Sequence, residues 1–300
     1  MSMTSLLSCN KSKELVIDYY QPQLVVEGYL HNNKPITLSV RRNLQPNEKV
    51  VNFPITDAKV TVWEDSLEMG VMQHDSNGIY SISYIPRNNH SYRIKVEHPD
   101  FPTAEGYTSI NEPVHANVIS SKIDGIYRDI KIQLLNDNMR YYGFQAVEKS
   151  LSQSYFFDNI GEKYYYSYQS INYFSGIEFL SLSHYWKDEI ALSTFQITND
   201  PENAGEILFG NSKTLTSSYI TLKTYSFSNV ILINELSEDV YQFFRSIVIY
   251  QKRTESSLTS SFYTPSFIHS NIKNGVDIFG YIYTYEFPVD SIPSDCNDLF

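Results

Sequence analysis

The chain has 300 residues, 23 basic and 34 acidic, for a net charge of -11. That balance excludes the clustered basic surface that phosphate neutralisation requires, so no nucleic acid is expected as a partner. It also disfavours electrostatic docking on anionic lipid. Tyr (25) and Phe (17) are abundant beside many β-branched residues, which suits pleated, half-buried surfaces, so the expected class is all-β. The length leaves room for one large or two ordinary domains.

Leu6-Leu7-Ser8-Cys9 has the pattern of a lipobox, in which Cys9 is lipidated and the chain is cleaved just before it. The stretch before Cys9 is shorter than a full signal, which needs a basic region and roughly 7–15 apolar residues. The expectation is therefore a start site lying further upstream. The alternative is a chance match, since such motifs are short. If Cys9 carries lipid, Cys296 stands alone, and two cysteines supply neither a disulfide framework nor a metal set. Residues 1–23 read as truncated signal, lipobox and polar tether.

Strand-like runs start at Leu24 to Leu30 and continue at Pro35 to Val40. In Ala58 to Trp63, Ala58, Val60 and Val62 share one face. Asn77-Gly78 before Ile79 to Tyr84 is a strong hairpin signal, and Tyr92 to Glu97 alternates strictly. Residues 24–112 are thus expected to form an immunoglobulin- or transthyretin-like β-sandwich. Asn111 to Lys122, with Pro113, reads as a linker.

Residues 123–290 are expected to form a larger, aromatic-rich β domain. Its strand candidates are Ile126 to Leu135, Tyr141 to Val147, Ile177 to Leu182, Ile190 to Ile197, Tyr219 to Tyr225 and Ile278 to Phe287. Tyr155 to Tyr168 and Glu202 to Asn211 read as long irregular connections. One amphipathic helix is expected at about 237–253, from the three-and-four spacing of Leu236, Val240, Phe243, Phe244, Ile247 and Val248. Ser237 is its expected N-cap, with Glu238 and Asp239 in the first turn and Lys252-Arg253 in the last. Its one-sided stripe is too short to span a membrane. Residues 291–300 are a tail.

These pieces together resemble the outer-membrane lipoproteins of Bacteroidetes that carry domain of unknown function 4249. The resemblance runs from Cys9 to about Val289. It rests on the lipobox, Leu24 to Leu30, Thr56 to Val62, Gly78-Ile79-Tyr80, Tyr92 to Val96, Leu236 to Tyr241 and, most specifically, Ser270 to Gly280. It implies an outer-membrane lipoprotein facing the surface or periplasm, partnered with a TonB-dependent receptor, and it implies no established activity. One departure is the absence of a Gly the family more often has at Val276 or Asp277, so a different turn geometry is expected there.

Catalytic signatures such as G-x-S-x-G, H-E-x-x-H and phosphate-binding Gly loops are absent from the sequence. The seven histidines lack ligand spacing, except loosely His90 with His98. His184 with Asp188 and Glu189 reads better as a polar loop, because a metal site needs three or four convergent ligands. Asp75 to Gly78 lacks the acid a calcium loop needs at position 86, which is Pro86. No metal, cofactor or catalysis is expected.

Two aromatic groups stand out. The alternating row Phe279, Tyr281, Tyr283, Tyr285 and Phe287 reads as core. Tyr164, Tyr165, Tyr166, Tyr168 and Tyr173 read as a partner- or ligand-contact surface, because consecutive tyrosines cannot share one side of a strand. The function expected is a non-enzymatic accessory subunit of a TonB-dependent receptor that helps ligand capture or uptake. The alternative is a stand-alone surface protein binding glycan or peptide, with an enzyme of unfamiliar motif as a third reading.

Overall fold

The structure, a computed structural model, describes residues 21–44, 48, 53–112, 116–134, 140–153, 162–169, 172–175, 180–182, 207–211, 219–226, 229–255 and 267–289. Strands β1 (Leu24–His31) and β2 (Ile36–Arg42) open the chain as a hairpin. Next come β3 (Lys59–Glu64), β4 (Leu67–Val71), β5 (Gln73–Ser76) and β6 (Ile79–Ile82). The hairpin β7 (His90–His98) and β8 (Phe101–Ile110) follows. Then come β9 (Ala116–Asp124), β10 (Tyr127–Leu134), β11 (Tyr141–Gln153) and β12 (Glu162–Gln169). Short strands β13 (Asn172–Ser175), β14 (Leu180–Leu182) and β15 (Ile207–Asn211) precede β16 (Tyr219–Tyr225). The central strand β17 (Val230–Leu236) leads into helix α1 (Glu238–Glu255), and β18 (Gly275–Val276) and β19 (Phe279–Pro288) close the described chain. The all-β class with one helix holds.

Among the described residues the strands build three sheets. An 11-stranded sheet runs β14-β15-β11-β17-β19-β1-β2-β6-β5, with β12 beside β11 and β18 beside β1. Two four-stranded sheets run β4-β3-β7-β8 and β13-β16-β10-β9. Strand β19 joins the halves of the large sheet. Its first residues lie parallel to β1, with Gly28 opposite Phe279, and its later ones antiparallel to β17, with Leu232 opposite Glu286. The hydrogen bonding therefore continues across the expected division near residue 112, and β1 pairs with the end of the chain.

Alternation along β19 fixes the layering, because successive side chains take opposite faces. Phe279 and Tyr281 lie in a core with Val60, Val62, Ile94 and Val96 of the β3–β7 sheet, and Tyr283 packs against it. Tyr285 and Phe287, on the same face, pack against Ile130, Ile132 and Leu222 of the β10–β16 sheet. Both small sheets thus cover one face of the large sheet. Ile282, on the other face, joins Tyr29, Leu236, Val240, Phe244 and Ile247 under the helix. Along the row Phe279 to Phe287, Phe279 and Tyr281 are buried core and Tyr283, Tyr285 and Phe287 are partly buried against it, so the row serves two cores in succession.

The local signals act as their chemistry requires. Asn77 and Gly78 both take positive φ (48° and 76°) between β5 and β6, as a tight hairpin of this hand needs. Ser237 Oγ accepts from the Val240 N–H at 3.3 Å and caps the helix. Asp277, beside Val276 in the stretch where a different turn geometry is expected, takes φ 89°.

Three expectations are corrected. Residues 116–122 are not a linker but part of β9, an edge strand paired with β10 across a turn in which Gly125 has φ 62°. Edge strands need few large apolar groups, which is why the segment reads as linker-like. Residues 162–168 are not an irregular connection: they form β12, antiparallel to the end of β11 with Leu151 opposite Tyr164. Aromatic strand propensity prevails there because β11 offers a long partner. Ile207–Asn211 is likewise strand, paired with both β11 and β14.

Candidate functional site

A cleft of about 520 Å³ opens where the β7–β8 sheet, the start of β11, the end of β17 and the N-terminus of α1 meet. One wall is the end of the β7–β8 hairpin, with Ser91, Tyr107, Ser109 and Asn111. The other is Arg140, Tyr141 and Ser237 to Asp239, and Tyr281 also lines the cleft. No sequence motif joins these segments; the crossing of β19 through the middle of the large sheet brings them together.

The polar groups of the cleft are firmly held. Glu235 is 1 % exposed and forms an ion pair with Arg140. Tyr281 also donates from its hydroxyl to Glu235 at 3.3 Å. Burial and the adjacent Glu235 carboxylate push the Tyr281 phenol well up, so it stays a donor. Arg140 additionally donates to the Glu112 carbonyl at 3.0 Å, tying the end of the hairpin to the start of β11. Tyr141 is pushed up to about 12 by burial and by its hydrogen bond to Glu238.

Asn271, from the stretch Ser270 to Gly280, holds the cleft in shape. Its side chain exchanges hydrogen bonds with Phe279, accepting from the N–H at 2.9 Å and donating to the carbonyl at 2.7 Å. The same Nδ2 lies 3.2 Å from the Tyr107 carbonyl and 3.2 Å from Asp239 Oδ2. Asp239 also pairs with His269 Nε2 at 2.9 Å. One amide thereby ties β8, β19 and the helix start together.

A second cleft of about 320 Å³ adjoins the first and shares Ser91, Tyr92 and Tyr107 with it. Arg93 stacks over the Trp63 ring at 4.1 Å from its centroid, a cation–π contact at the lip. Tyr107, 51 % exposed, stands between the two clefts and donates its hydroxyl to Glu105 at 2.8 Å. Aromatic rings, hydroxyls and fixed charges on a rigid sheet suit binding of a polar ligand by stacking and hydrogen bonding.

The site residues expected from sequence lie elsewhere. Cys9 is outside the described residues, as are His184, Asp188 and Glu189. Tyr164, Tyr165, Tyr166 and Tyr168 are in β12 of the large sheet, whereas Tyr173 is in β13 of a small sheet, opposite Leu222. The five tyrosines therefore lie on two strands in different sheets. His90 and His98 sit at opposite ends of β7, each on its own aspartate, Asp65 at 2.7 Å and Asp57 at 3.1 Å. Among the described residues no three His, Cys, Asp or Glu side chains converge as a metal set, and no helix is long and apolar enough to cross a membrane.

Compared with known proteins, the chain matches the model of the family described as Domain of unknown function (DUF4249) over residues 12–286. No curated protein matches it.

Proposed function

The chain belongs to the DUF4249 family, and on that premise we propose that it is a non-enzymatic, lipid-anchored binding subunit of the outer membrane. In this reading Cys9 carries the lipid, a TonB-dependent receptor is the partner, and the cleft beside the start of α1 receives the ligand that the receptor takes up. The observation that carries the recognition half is the cleft itself: about 520 Å³, lined by tyrosines and hydroxyls, with its Arg140 held by the buried Glu235 behind the wall. Its walls are mostly strand residues of β7, β8, β17 and β19 and a capped helix start, joined by Asn111 and Arg140 at strand ends, an arrangement suited to preorganised binding. The tyrosines of β12 are the proposed receptor contact. That partner rests on the family likeness.

Detergent-solubilised membranes test the reading. An epitope-tagged chain expressed with its own upstream signal should co-purify with a large barrel protein. The double variant Tyr165→Ser/Tyr166→Ser should lose that partner. Cys9→Ala should move the protein from the membrane to the soluble fraction, since multiple acyl chains give stable anchoring. A wild-type protein that purifies alone yet binds glycan or peptide would favour the stand-alone alternative. Unchanged membrane association of Cys9→Ala would remove the anchor.

A further inference from the structure

We propose that the outer edge of β8, at Tyr107 to Ser109, is a strand-addition site taking an extended polypeptide segment that carries a basic side chain. This deepens the reading of the cleft as a recognition site and rests on it. Among the described residues β8 is the last strand of its sheet, and the direction of its backbone groups is fixed by their partners. The Ile110 carbonyl accepts from Asn89 at 2.8 Å, on the β7 side. Glu105, by contrast, exchanges both backbone hydrogen bonds with Lys273, at 3.1 and 2.8 Å, on the outer side. The outer side also holds the Thr103 carbonyl, taken by Asn274 at 3.1 Å, and the Tyr107 carbonyl, taken by Asn271.

Odd-numbered residues of β8 thus point their backbone groups outward, as antiparallel alternation requires. Ser109 continues that series. Its counterpart in the β7 register is Ser91, whose N–H and carbonyl both turn to Asp65, at 2.9 and 2.7 Å. The segment around Asn271 and Lys273 therefore covers the outer edge as far as the Tyr107 carbonyl. Beyond that point the Tyr107 N–H and both Ser109 groups face the cleft. An open sheet edge beside a lined cleft is the geometry by which sheets capture extended peptides.

Charge selects the peptide. The opposite wall carries two carboxylates held by neutral donors or a histidine, Glu238 by the Tyr141 hydroxyl and Asp239 by Asn271 and His269, whereas Arg140 is committed to Glu235 and the Glu112 carbonyl, which leaves the wall acidic. The adjoining cleft adds no net charge, since its Asp65 pairs with His90 and its Arg93 stacks on Trp63. A Lys or Arg side chain on the added strand complements these groups; a Glu does not.

The test uses the full-length protein and fluorescein-labelled, end-capped pentapeptides read by anisotropy. Thr-Val-Lys-Val-Thr should bind saturably, and Thr-Val-Glu-Val-Thr roughly tenfold or more weakly. In an added strand alternate N–H groups face the sheet, so N-methylation of the central Lys and N-methylation of the two Val should differ sharply: one abolishes binding and the other spares it. Ser109→Pro removes an outward N–H, which edge strands tolerate, and should weaken binding at least roughly tenfold. The melting temperature of Ser109→Pro, expected close to that of the wild type, separates loss of the edge donor from loss of folding. Equal effects of the two methylation patterns, equal binding of the Glu peptide, full binding by Ser109→Pro, or no binding at millimolar peptide each overturn the proposal. If a barrel protein still co-purifies when the peptides fail, only strand addition is lost. If the peptides bind as expected and no barrel co-purifies, the accessory-subunit reading falls and this one stands.

Discussion

Glu27 and Asp277 face a single guanidinium: Arg41 Nη2 stands 2.9 Å from Glu27 Oε2 and 3.7 Å from Asp277 Oδ2. Two sheltered carboxyls and one cation cannot all be charged without leaving a negative charge uncompensated. Burial, reinforced for Glu27 by Asp277, holds both carboxyls above the ordinary range, with Arg41 opposing. The folded pair therefore keeps a proton that the unfolded chain has released. Stability should fall as pH rises from the ordinary carboxylate range through the raised values, by at most about 1.4 kcal/mol per pH unit for one proton. Asp277→Asn removes the excess charge, and Asn tolerates positive φ better than most residues. Melting temperatures between pH 5 and 8 should decline for the wild type and stay flatter for the variant; parallel slopes would rule out this pair as the cause.

The acid limb has another source. Glu64 is buried, which alone would raise its pKa, yet hydrogen bonds from Arg87, Tyr92 and Tyr84 pull it down to about 2. A depressed carboxylate contributes stability that is present above its unfolded value and lost as pH falls through the folded one. The loss should run from about pH 4.5 to about 2 and amount to about 2–3 kcal/mol. Glu64→Gln should flatten that limb in acid titrations followed by circular dichroism and lower stability at neutral pH.

Phe244 is 3 % exposed and packs against Tyr29, with ring centroids 6.3 Å apart. Phe244→Ala should cost about 3–5 kcal/mol. Phe244→Asp should cost more, because it buries an unpaired charge between helix and sheet. Thermal melts of the purified protein measure both, and an unchanged midpoint in either would contradict this packing.

Asn271 joins three elements through one amide, so Asn271→Ala should cost about 1–3 kcal/mol for each buried backbone group left unpaired. It should also raise amide hydrogen exchange at Phe279 and loosen the cleft. Unchanged exchange at Phe279 would show that the side chain does not hold β19.

The sequence by itself determined the class, the hairpin at Asn77-Gly78, the single helix with its Ser237 cap, and the role of the row Phe279 to Phe287. Each depends on periodicity or a local φ requirement, which a short window contains. The family was also legible, through the order of its scattered runs. The central strand Val230–Leu236 was missed, although all seven of its residues are buried. A strand covered on both faces reads as an apolar run without alternation. β12 was hidden for another reason: tyrosines serve strand and loop alike until a partner such as β11 is in place. Only the tertiary structure decided that β1 pairs with β19 and that Ser91, Tyr107, Arg140 and Asp239 border one cleft. Those contacts join residues far apart in the chain, and their positions follow from the registers of the strands that carry them, which no single segment encodes.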